Sequence, residues 1–352
     1  MSALELAHSL GHEEVVLLQD AGSGLRCVIA IHDTTLGPAV GGTRMRLYAS
    51  DDDAVVDALR LARAMTYKAA MAGVARGGGK AVIVGDPARD KTRALLWAYA
   101  RAVDRLDGRF ETGGDMGIDG RDVHVMARVT RRVHHTPESS SLDTADLAAL
   151  GVCESILAVA GRLDREPEAL HVAIQGLGQV GYRLAKRLAA LGARLSVADV
   201  ETARSERAAA ELGATVVAPE AIYDVESDVF SPNAGGAILN DHTLPRLRCR
   251  AVVGGANEQL AEPRHGDALA ARGILYGPDY LVNAGGLLSL LYEVGETDEA
   301  GVLERVRGIG LRLAELLDRS QREGVPSHAM ADRIVEERLA AARAARKGGG
   351  PA

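Results

Sequence analysis

Cysteine is scarce in this sequence, and its pattern excludes two kinds of structural support. The three cysteines, Cys27, Cys153 and Cys249, are far apart, odd in number and without C-x-x-C spacing. A disulfide framework needs paired cysteines, and a structural zinc site needs clustered ones. We therefore expect neither disulfides nor a metal site.

Long apolar runs and targeting signals are also missing. No apolar run approaches the roughly 20 residues that span a bilayer. The N-terminal MSALELAHSLGHEEVV carries three glutamates but no lysine, arginine or apolar core, unlike a signal peptide. These absences predict a cytoplasmic protein that does not enter a membrane.

Basic residues are in the minority. The 41 lysines and arginines are outnumbered by 48 aspartates and glutamates, which gives a formal net charge of −7. An acidic chain gains no counterion-release advantage on nucleic acid or anionic lipid. Nucleic acid and membranes are therefore not expected as partners.

What the sequence does contain is material for two α/β domains. At 352 residues, 47% of them hydrophobic, the chain exceeds the usual size of one hydrophobic core. In the first part a helix is predicted to begin after Ser50, and a glycine turn is predicted at Gly77-Gly78-Gly79. We expect its other elements as strands at 15–19, 25–32 and 81–84 and a helix at about 91–106.

The second part of the sequence alternates strands and helices more regularly. A polar, serine-rich stretch at 134–146 predicts a connection between the domains. Strands alternating with helices predict a doubly wound parallel sheet, the Rossmann fold. We expect helices at about 148–162, 182–191, 300–322 and 328–346 and strands at 171–174, 194–198, 228–230, 251–253 and 273–276.

A glycine fingerprint follows the strand at 171–174. Its glycines form G-x-G-x-x-G at the start of a helix, and Asp199 ends the next strand. Such glycines allow a tight turn and approach of the backbone to a pyrophosphate, and the acidic residue bonds the ribose of NAD. A flexible turn is the weaker alternative, so NAD is predicted as the cofactor. The predicted NAD-binding turn comprises Gly176, Leu177, Gly178, Gln179, Val180 and Gly181.

Two lysines lie in unusually apolar surroundings. Lys68 occurs in MTYKAAM and Lys80 in GGGKAVIV. Most lysines are solvated surface charges, which is the ordinary explanation for both. A partly buried lysine instead has a lowered pKa and can act as a base near neutral pH. A phosphate-binding loop is not favoured, because the Walker spacing and the following Ser or Thr are absent.

Longer motifs are similar to those of a known family. They are IAIHDTTLGPAVGGTRM at 29–45, DALRLARAMTYKAAMAG at 57–73, GGGKAVIVGDP at 77–87, ANEQLAEPRHGD at 256–267 and GILYGPDYLVNAGG at 273–286. In these motifs the sequence resembles the leucine, phenylalanine, valine and tryptophan branch of the amino acid dehydrogenases. The resemblance extends in order from about residue 13 to 346, which is nearly the whole chain.

The resemblance implies an α/β substrate-binding and oligomerisation domain at 1–135 and a Rossmann domain at 143–325. The active site would lie in the cleft between them. It leaves open whether the helix at about 328–346 packs back on the first domain. The tail at 347–352 is expected to be disordered.

By position in these motifs, and in TGGDMG at 112–117, the resemblance also assigns roles to single residues. Lys68 would hold the substrate α-carboxylate, and Lys80 would polarise the water or carbonyl at the α-carbon. Asp115 would relay protons as ammonia leaves, although taken alone it reads as an aspartate that caps a turn. Gly41 and Gly42 would let the backbone approach the substrate.

The same resemblance outlines a substrate pocket. Its wall would consist of Val40, Gly113, Leu287 and Leu290, whose apolar character fits a hydrophobic L-amino acid; four residues of a plain core would look the same. Glu111 departs from relatives, which carry an apolar or aromatic residue there. Asn283 would line the nicotinamide side of the site, and Asn233 and Asn257 would contact the cofactor.

The motifs depart from the family around the nicotinamide. Ala148 stands where relatives have a threonine, Asn233 where cysteine is usual and Glu258 where asparagine is usual. Asp146 adds a carboxylate two residues before Ala148. A carboxylate in a closed site must be paired. We therefore expect Lys68, Lys80 or the substrate ammonium to pair with Asp146 and Glu258.

These inferences predict a reversible, NAD-dependent oxidative deamination of a hydrophobic L-amino acid to the 2-oxo acid and ammonium. Two alternatives stay open. The protein could be a related imine reductase or reductive aminase, or a degenerate homologue that binds NAD(H) or an amino acid without catalysis. Because relatives form homo-oligomers, at least a dimer is expected.

Overall fold

The chain divides into two compact units in the computed structural model, which describes residues 2–134 and 142–348. Within these residues, the first unit comprises the chain before the gap, Leu290–Glu296 and the chain from Val335 onward. The second unit comprises Leu142–Ser289 and Thr297–Ile334. Each unit therefore joins segments that are distant in sequence.

The first unit is an α/β domain built on a mixed sheet. Its strands are β1 (Glu14–Asp20), β2 (Leu25–Asp33), β3 (Ala39–Arg46), β4 (Gly77–Val84) and β5 (Phe110–Gly114). Its first helices are α1 (Ala3–Leu10), α2 (Asp51–Ala72), α3 (Arg93–Asp104) and α4 (Gly120–Ala127). The strand order is β1-β2-β4-β3-β5, with β2 antiparallel to both neighbours and β3 parallel to both of its own.

Different helices cover the two faces of this sheet. Helix α2 begins where the sequence predicts, because the Ser50 side chain accepts a hydrogen bond from the Asp53 amide and acidic residues stand at the positive end of the helix dipole. Its buried alanines and Leu59 share a core with Val82 of β4. On the opposite face, α3 and α4 share a core with Phe110 and with alternate residues of β2 and β4.

The prediction of a turn at Gly77-Gly78-Gly79 is wrong, because these glycines begin strand β4. Their neighbours lie too close for a side chain. A Cβ on Gly78 would overlap the backbone nitrogen and hydroxyl of Thr66 on α2, and one on Gly79 would lie 2.7 Å from the Phe110 ring. The glycine run therefore marks the close packing of a helix and an aromatic ring on a strand.

The second unit is a parallel sheet with helices between its strands. The strands are β6 (His171–Gln175), β7 (Arg194–Ala198), β8 (Thr215–Val216), β9 (Glu226–Pro232), β10 (Arg248–Val252) and β11 (Leu275–Tyr276). The order β11-β10-β9-β6-β7-β8 is that of the Rossmann fold, with the direction of winding reversed between β6 and β9. The predicted doubly wound sheet is thus confirmed.

The helices of the second unit are α5 (Thr144–Arg162), α6 (Gln179–Ala190), α7 (Thr202–Leu212), α8 (Pro263–Ala271), α9 (Asp279–Val282) and α10 (Gly285–Leu288). Short 3-10 turns lie at Pro167–Ala169, Pro219–Asp224 and Leu244–Arg246. After α11 (Leu290–Glu293), which belongs to the first unit, the chain continues with α12 (Glu299–Glu323) and α13 (Ser327–Gly348).

The end of α13 makes polar contacts with α2 and β2 of the first unit. The Tyr67 hydroxyl donates to Glu336, and Arg343 pairs with Asp33. Of the predicted disordered tail at 347–352, α13 includes the first two residues and the rest lies outside the described chain. Residues 135–141 of the predicted connection also lie outside it, whereas 144–146 form the first turn of α5.

Helix α5 corrects the expectation that no apolar run approaches the length of a membrane span. Thr144–Arg162 is, by length and composition alone, long and apolar enough to cross a membrane. Within the second unit, 61% of its apolar window is buried, and it packs on α6, α10 and α12. The core helix of a globular protein meets the same criteria, so this helix is explained by its place in the core.

Gly78→Ala is expected to destabilise the protein by about 1–3 kcal/mol or more, because the added methyl overlaps backbone of α2. The control is Gly161→Ala in the exposed last turn of α5, where an added Cβ meets nothing within 4 Å. That change is expected to be neutral or to stabilise by up to about 1 kcal/mol through helix propensity. The midpoints of urea unfolding measure the stability of both variants. Equal midpoints for Gly78→Ala and Gly161→Ala would contradict the packing explanation.

Candidate active site

Strands β4, β3 and β5 bring Lys80 and Asp115 together. Lys80 is the fourth residue of β4, and Asp115 directly follows β5. Lys80 Nζ lies 2.7 Å from Asp115 Oδ2, and the lysine is only 6% exposed. A Cβ on Gly42 would lie 3.0 Å from Cβ of Asp115, so glycine at this position lets the carboxylate approach β3. Lys80 is therefore a buried, paired lysine and not a surface charge.

Burial and charge shift the pKa values of this pair. Burial lowers the pKa of Lys80, and the Asp115 carboxylate only partly offsets it. Burial alone would raise the pKa of Asp115, but the Lys80 ammonium and the Arg44 guanidinium hold it below its ordinary value. An amine with a lowered pKa beside an ionised carboxylate is suited to proton exchange.

Sequence reasoning missed Arg44, the third member of this group. Its Nε donates to Asp115 Oδ2 at 3.0 Å, and its Nη1 lies 3.1 Å from Asp57 Oδ2 on α2. The signal was present in the motif GGTR, because residues 42 and 44 of a strand lie on the same face. The Arg44 side chain therefore lies on the same face of β3 as Gly42, the face that Asp115 approaches.

The other predicted substrate residues of the first unit lie on α2, β3, β5 and α11. Lys68 is half-buried on α2. Val40 pairs in register with Glu111, and Gly113 with Gly42. A Cβ on Gly41 would overlap the carbonyl oxygen of Gly79, so the approach of β3 to β4 already requires this glycine. The fully buried Leu290 begins α11.

Glu111 is the centre of a buried ionic cluster. Its Oε2 lies 2.9 Å from Nε2 of His134, and the guanidinium groups of Arg76 and Arg132 approach it to 3.9 and 3.7 Å. His134 Nδ1 also lies 3.7 Å from Glu293 at the end of α11. Burial would raise the pKa of Glu111, but His134 and the two arginines lower it. Neither this cluster nor another in the described residues is arranged to hold a metal ion.

The glycine fingerprint lies at the switch point between β6 and β9 of the second unit. Gly176, at φ +86°, makes the turn, and a Cβ on Gly181 would overlap its carbonyl oxygen. Gly178 occupies the N-cap of α6 without a side-chain cap, and a Cβ there would meet nothing described within 4 Å. Gln179 and Val180 form the first turn of the helix. A helix N-terminus with open space before it suits an anion.

Asp199 is tied to this turn. Its Oδ2 accepts the Leu177 amide at 2.7 Å, and its Oδ1 accepts the Glu201 amide at 2.8 Å. A carboxylate has about four acceptor positions, so others remain for ligand hydroxyls. Arg204 of α7, which sequence reasoning missed, lies 3.7 Å from Oδ2. The carboxylate is thus fixed in orientation and partly neutralised.

Three predicted asparagines converge on the loop after β10. Asn233 Oδ1 accepts the Gly255 amide at 2.9 Å, and Asn283 Nδ2 donates to Asn257 Oδ1 at 2.8 Å and to the Gly255 carbonyl at 3.3 Å. Within the described residues, the buried Asn283 Oδ1 meets no hydrogen-bond donor. A buried acceptor of this kind needs a donor from a ligand or water. Leu287 lies nearby in sequence on α10.

The expected pairing of Asp146 with a lysine or the substrate is wrong. Arg187 of α6 lies 2.6 Å from Asp146 Oδ2, and the carboxylate is 44% exposed. It also lies in the first turn of α5, where the helix dipole favours it, two residues before Ala148. Glu258 is exposed at φ +50°, a left-handed conformation that the asparagine of relatives adopts with less strain.

Comparisons with known proteins identify the family. A family model described as "Glu/Leu/Phe/Val dehydrogenase, dimerisation domain" matches residues 12–132, and "Glutamate/Leucine/Phenylalanine/Valine dehydrogenase" matches residues 196–345. The leucine dehydrogenase of Thermoactinomyces intermedius is 43% identical over 96% of this chain and 94% of that protein. The chain belongs to the Glu/Leu/Phe/Val dehydrogenase family.

Other members of this family are similar to this chain over nearly its whole length. The L-tryptophan dehydrogenase of Nostoc punctiforme is 42% identical over 96% of both chains. A crystal structure of L-tryptophan dehydrogenase from that organism matches with a TM-score of 0.84 and 40% identity, covering 97% of this chain and 99% of that one. A hetero-hexameric glutamate dehydrogenase from Thermus thermophilus matches with a TM-score of 0.79 and 25% identity, covering 98% and 95%. The resemblance inferred from the motifs is confirmed, and dehydrogenases of this family depend on a pyridine nucleotide.

Glu111 is expected to give this dehydrogenase-family chain part of its acid sensitivity. Its pKa is lower in the folded than in the unfolded state, so its stabilisation is complete above the unfolded value and is lost as pH falls through the folded value. The difference in unfolding free energy between wild type and Glu111→Gln should therefore shrink between about pH 6 and about pH 3. Glu304→Gln, at an exposed site on α12, is the control. A difference that does not vary with pH would contradict this role.

Proposed function

We propose that this chain catalyses the reversible, NAD-dependent oxidative deamination of a hydrophobic L-amino acid to the 2-oxo acid and ammonium. The observation that carries the proposal is the buried Lys80–Asp115 pair, 2.7 Å apart, in a member of the dehydrogenase family. Burying an ammonium is costly, and a protein that only bound amino acids would gain nothing from a buried amine of lowered pKa.

Three features of the second unit fit NAD. The uncapped N-terminus of α6 would hold the pyrophosphate, and Asp199 would accept hydrogen bonds from the ribose hydroxyls. The unpartnered Oδ1 of Asn283, described above, would accept the carboxamide N–H of the nicotinamide. When bound, the nicotinamide supplies the acceptor for the hydride from Cα.

The first unit would supply the proton chemistry. Lys68 binds the substrate α-carboxylate and so orients Cα. Lys80, as a neutral amine, takes a proton from the water that adds to the imine carbon. The Asp115 carboxylate accepts that proton from the Lys80 ammonium, 2.7 Å away, and passes it to the amino group, which then leaves as ammonia. Gly42 keeps the backbone close to the substrate. Val40, Gly113 and Leu290 of this unit would form a hydrophobic wall.

We also propose the assembly and its division of labour. Residues 1–135 would bind substrate and form the subunit contacts, and residues 143–325 would bind the cofactor. The description of the matching first-domain model as a dimerisation domain supports a homo-oligomer. We place this oligomer in the cytoplasm.

The proposal is tested by NADH formation across the twenty amino acids and by NADH consumption with 2-oxo acids plus ammonium. Turnover of substrates with apolar side chains is the expected result. Reduction of preformed imines, or of 2-oxo acids only with other amines, would indicate an imine reductase or reductive aminase. NADH binding in a fluorescence titration without any turnover would indicate a non-catalytic homologue.

Substitutions of Lys80 and Lys68 are expected to change different kinetic constants. Lys80→Ala should lower kcat by roughly 10²–10⁴ with NADH affinity unchanged, because it removes the acid–base group. Lys68→Ala should chiefly raise KM for the amino acid, because it removes the carboxylate anchor. Lys91→Ala is the control, since Lys91 pairs with Asp122 at 2.6 Å elsewhere in the same unit. Near-normal kcat in Lys80→Ala would refute the mechanism.

Cofactor preference should follow the charges at the end of β7. NAD is expected over NADP by at least about tenfold in kcat/KM, because Asp199 repels a 2′-phosphate. Asp199→Ala should narrow this ratio, whereas Arg204→Ala should widen it, since Arg204 lies 3.7 Å from Asp199 Oδ2 and offsets its charge. Steady-state kinetics with both cofactors measure the ratio. Equal use by wild type would disprove the assignment of Asp199.

A further inference from the structure

We propose that Arg44 is a positioning residue for the proton transfer, which orients the Asp115 carboxylate and supplies a fixed positive charge beside Lys80. The proposal rests on the function proposed above. It assigns a task to a residue that touches Asp115 and has no part in the steps proposed above.

The first argument is the shared acceptor. Arg44 Nε and Lys80 Nζ both bind Oδ2 of Asp115, at 3.0 and 2.7 Å. The amide of Met116 stabilises the same carboxylate. Lys80 could hold the carboxylate by a single flexible contact, but a guanidinium donates from a rigid plane. Arg44 therefore fixes the direction in which Asp115 faces.

The second argument is that Arg44 is itself held from the far side. Its Nη1 lies 3.1 and 3.3 Å from the two oxygens of Asp57, and the Tyr48 hydroxyl donates to Asp57 Oδ2 at 2.6 Å. Burial, followed by Asp57, raises the pKa of Tyr48, so the hydroxyl stays a donor at neutral pH. Arg44 is 14% exposed in its side chain and bridges two carboxylates on different elements.

The third argument concerns the charges around Lys80. Burial lowers its pKa most, Asp115 raises it, Arg44 lowers it further and Asp57 raises it. Helix α2, which packs over this face, also carries Lys68. Without Arg44, the pull of Asp115 on the Lys80 proton would be opposed chiefly by burial. Arg44 thus shifts the pKa of Lys80 in the direction that favours the neutral amine, the form that takes up a proton in the proposed reaction.

The first test measures Lys80 directly and needs no substrate. The chain contains five lysines, so trace labelling with acetic anhydride and mass spectrometry can follow each amine from about pH 6 to about pH 11. In Arg44→Gln the apparent pKa of Lys80 should rise by about one unit or more, because two positive charges that share one carboxylate oxygen, at 3.0 and 2.7 Å, repel strongly at a partly buried site. Lys91, 2.6 Å from Asp122, should not change.

The second test is the pH profile of kcat/KM for NADH formation, with L-leucine and L-phenylalanine as probes. In Arg44→Gln the acidic limb of this profile should move to higher pH by as much as the pKa of Lys80 rises. At pH values below the shifted limb, kcat/KM should be about tenfold lower than in wild type, and it should recover at high pH. Arg44→Lys keeps the charge and should return the limb toward the wild-type position. A purely structural role would lower kcat/KM equally at all pH values.

A variant on the other side of the guanidinium covers the case in which Arg44→Gln does not fold. Asp57→Asn removes a negative charge that raises the pKa of Lys80, so the labelling curve should move in the opposite direction, downward. An unchanged Lys80 curve in both variants, or in whichever one folds, would overturn the proposal. If no probe is turned over, the labelling curves still decide the role of Arg44, and only the proposed function fails.

Discussion

The burial of Lys80 is the constraint from which the arrangement of the first unit follows. An ammonium removed from water needs an opposite charge, and Asp115 provides it at 2.7 Å. That carboxylate is half-enclosed in turn and is shared with Arg44, whose own charge is met by Asp57. The alternating charges lead from a lysine side chain that is 8% exposed to an aspartate that is 23% exposed. The burial of a single amine thus accounts for three further charged residues, one on β3, one on α2 and one directly after β5.

Glycine makes this burial sterically possible. Gly78 lets α2 lie directly on β4, and Gly42 lets Asp115 approach β3. This also explains what could be predicted from the sequence. Helix α2 and the turn after β6 are encoded by contiguous residues, namely a capping serine with acids and a complete fingerprint. The run Gly77-Gly78-Gly79 is ambiguous, because a turn and a closely packed strand both require glycine, and only the neighbours in space decide.

The same distinction separates the site residues that sequence reasoning found from those it missed. Lys68, Lys80 and Asp115 lie in motifs that can be matched one by one. Arg44 was in such a motif, but its importance depends on a partner 71 positions later. Asp146 was recognised as a new carboxylate, yet its cation, Arg187, stands 41 positions away on another helix. The sequence shows that a buried or enclosed carboxylate needs a cation as its partner. Which cation becomes the partner depends on how the elements pack in space.

The acidic residues that depart from the family pattern are paired with neighbouring side chains. Asp146 is met by Arg187 near the surface, and Glu111 is met by His134 with two arginines around it. By contrast, the second unit keeps acceptors open where the fingerprint lies, at Asn283 Oδ1 and on the oriented carboxylate of Asp199. A buried acceptor without a donor costs stability, and a ligand or a water that donates to it removes that cost. The charges of Asp146, Glu111 and Lys80 are thus paired within the protein, whereas Asn283 Oδ1 and part of the Asp199 carboxylate keep acceptor capacity for the cofactor proposed above.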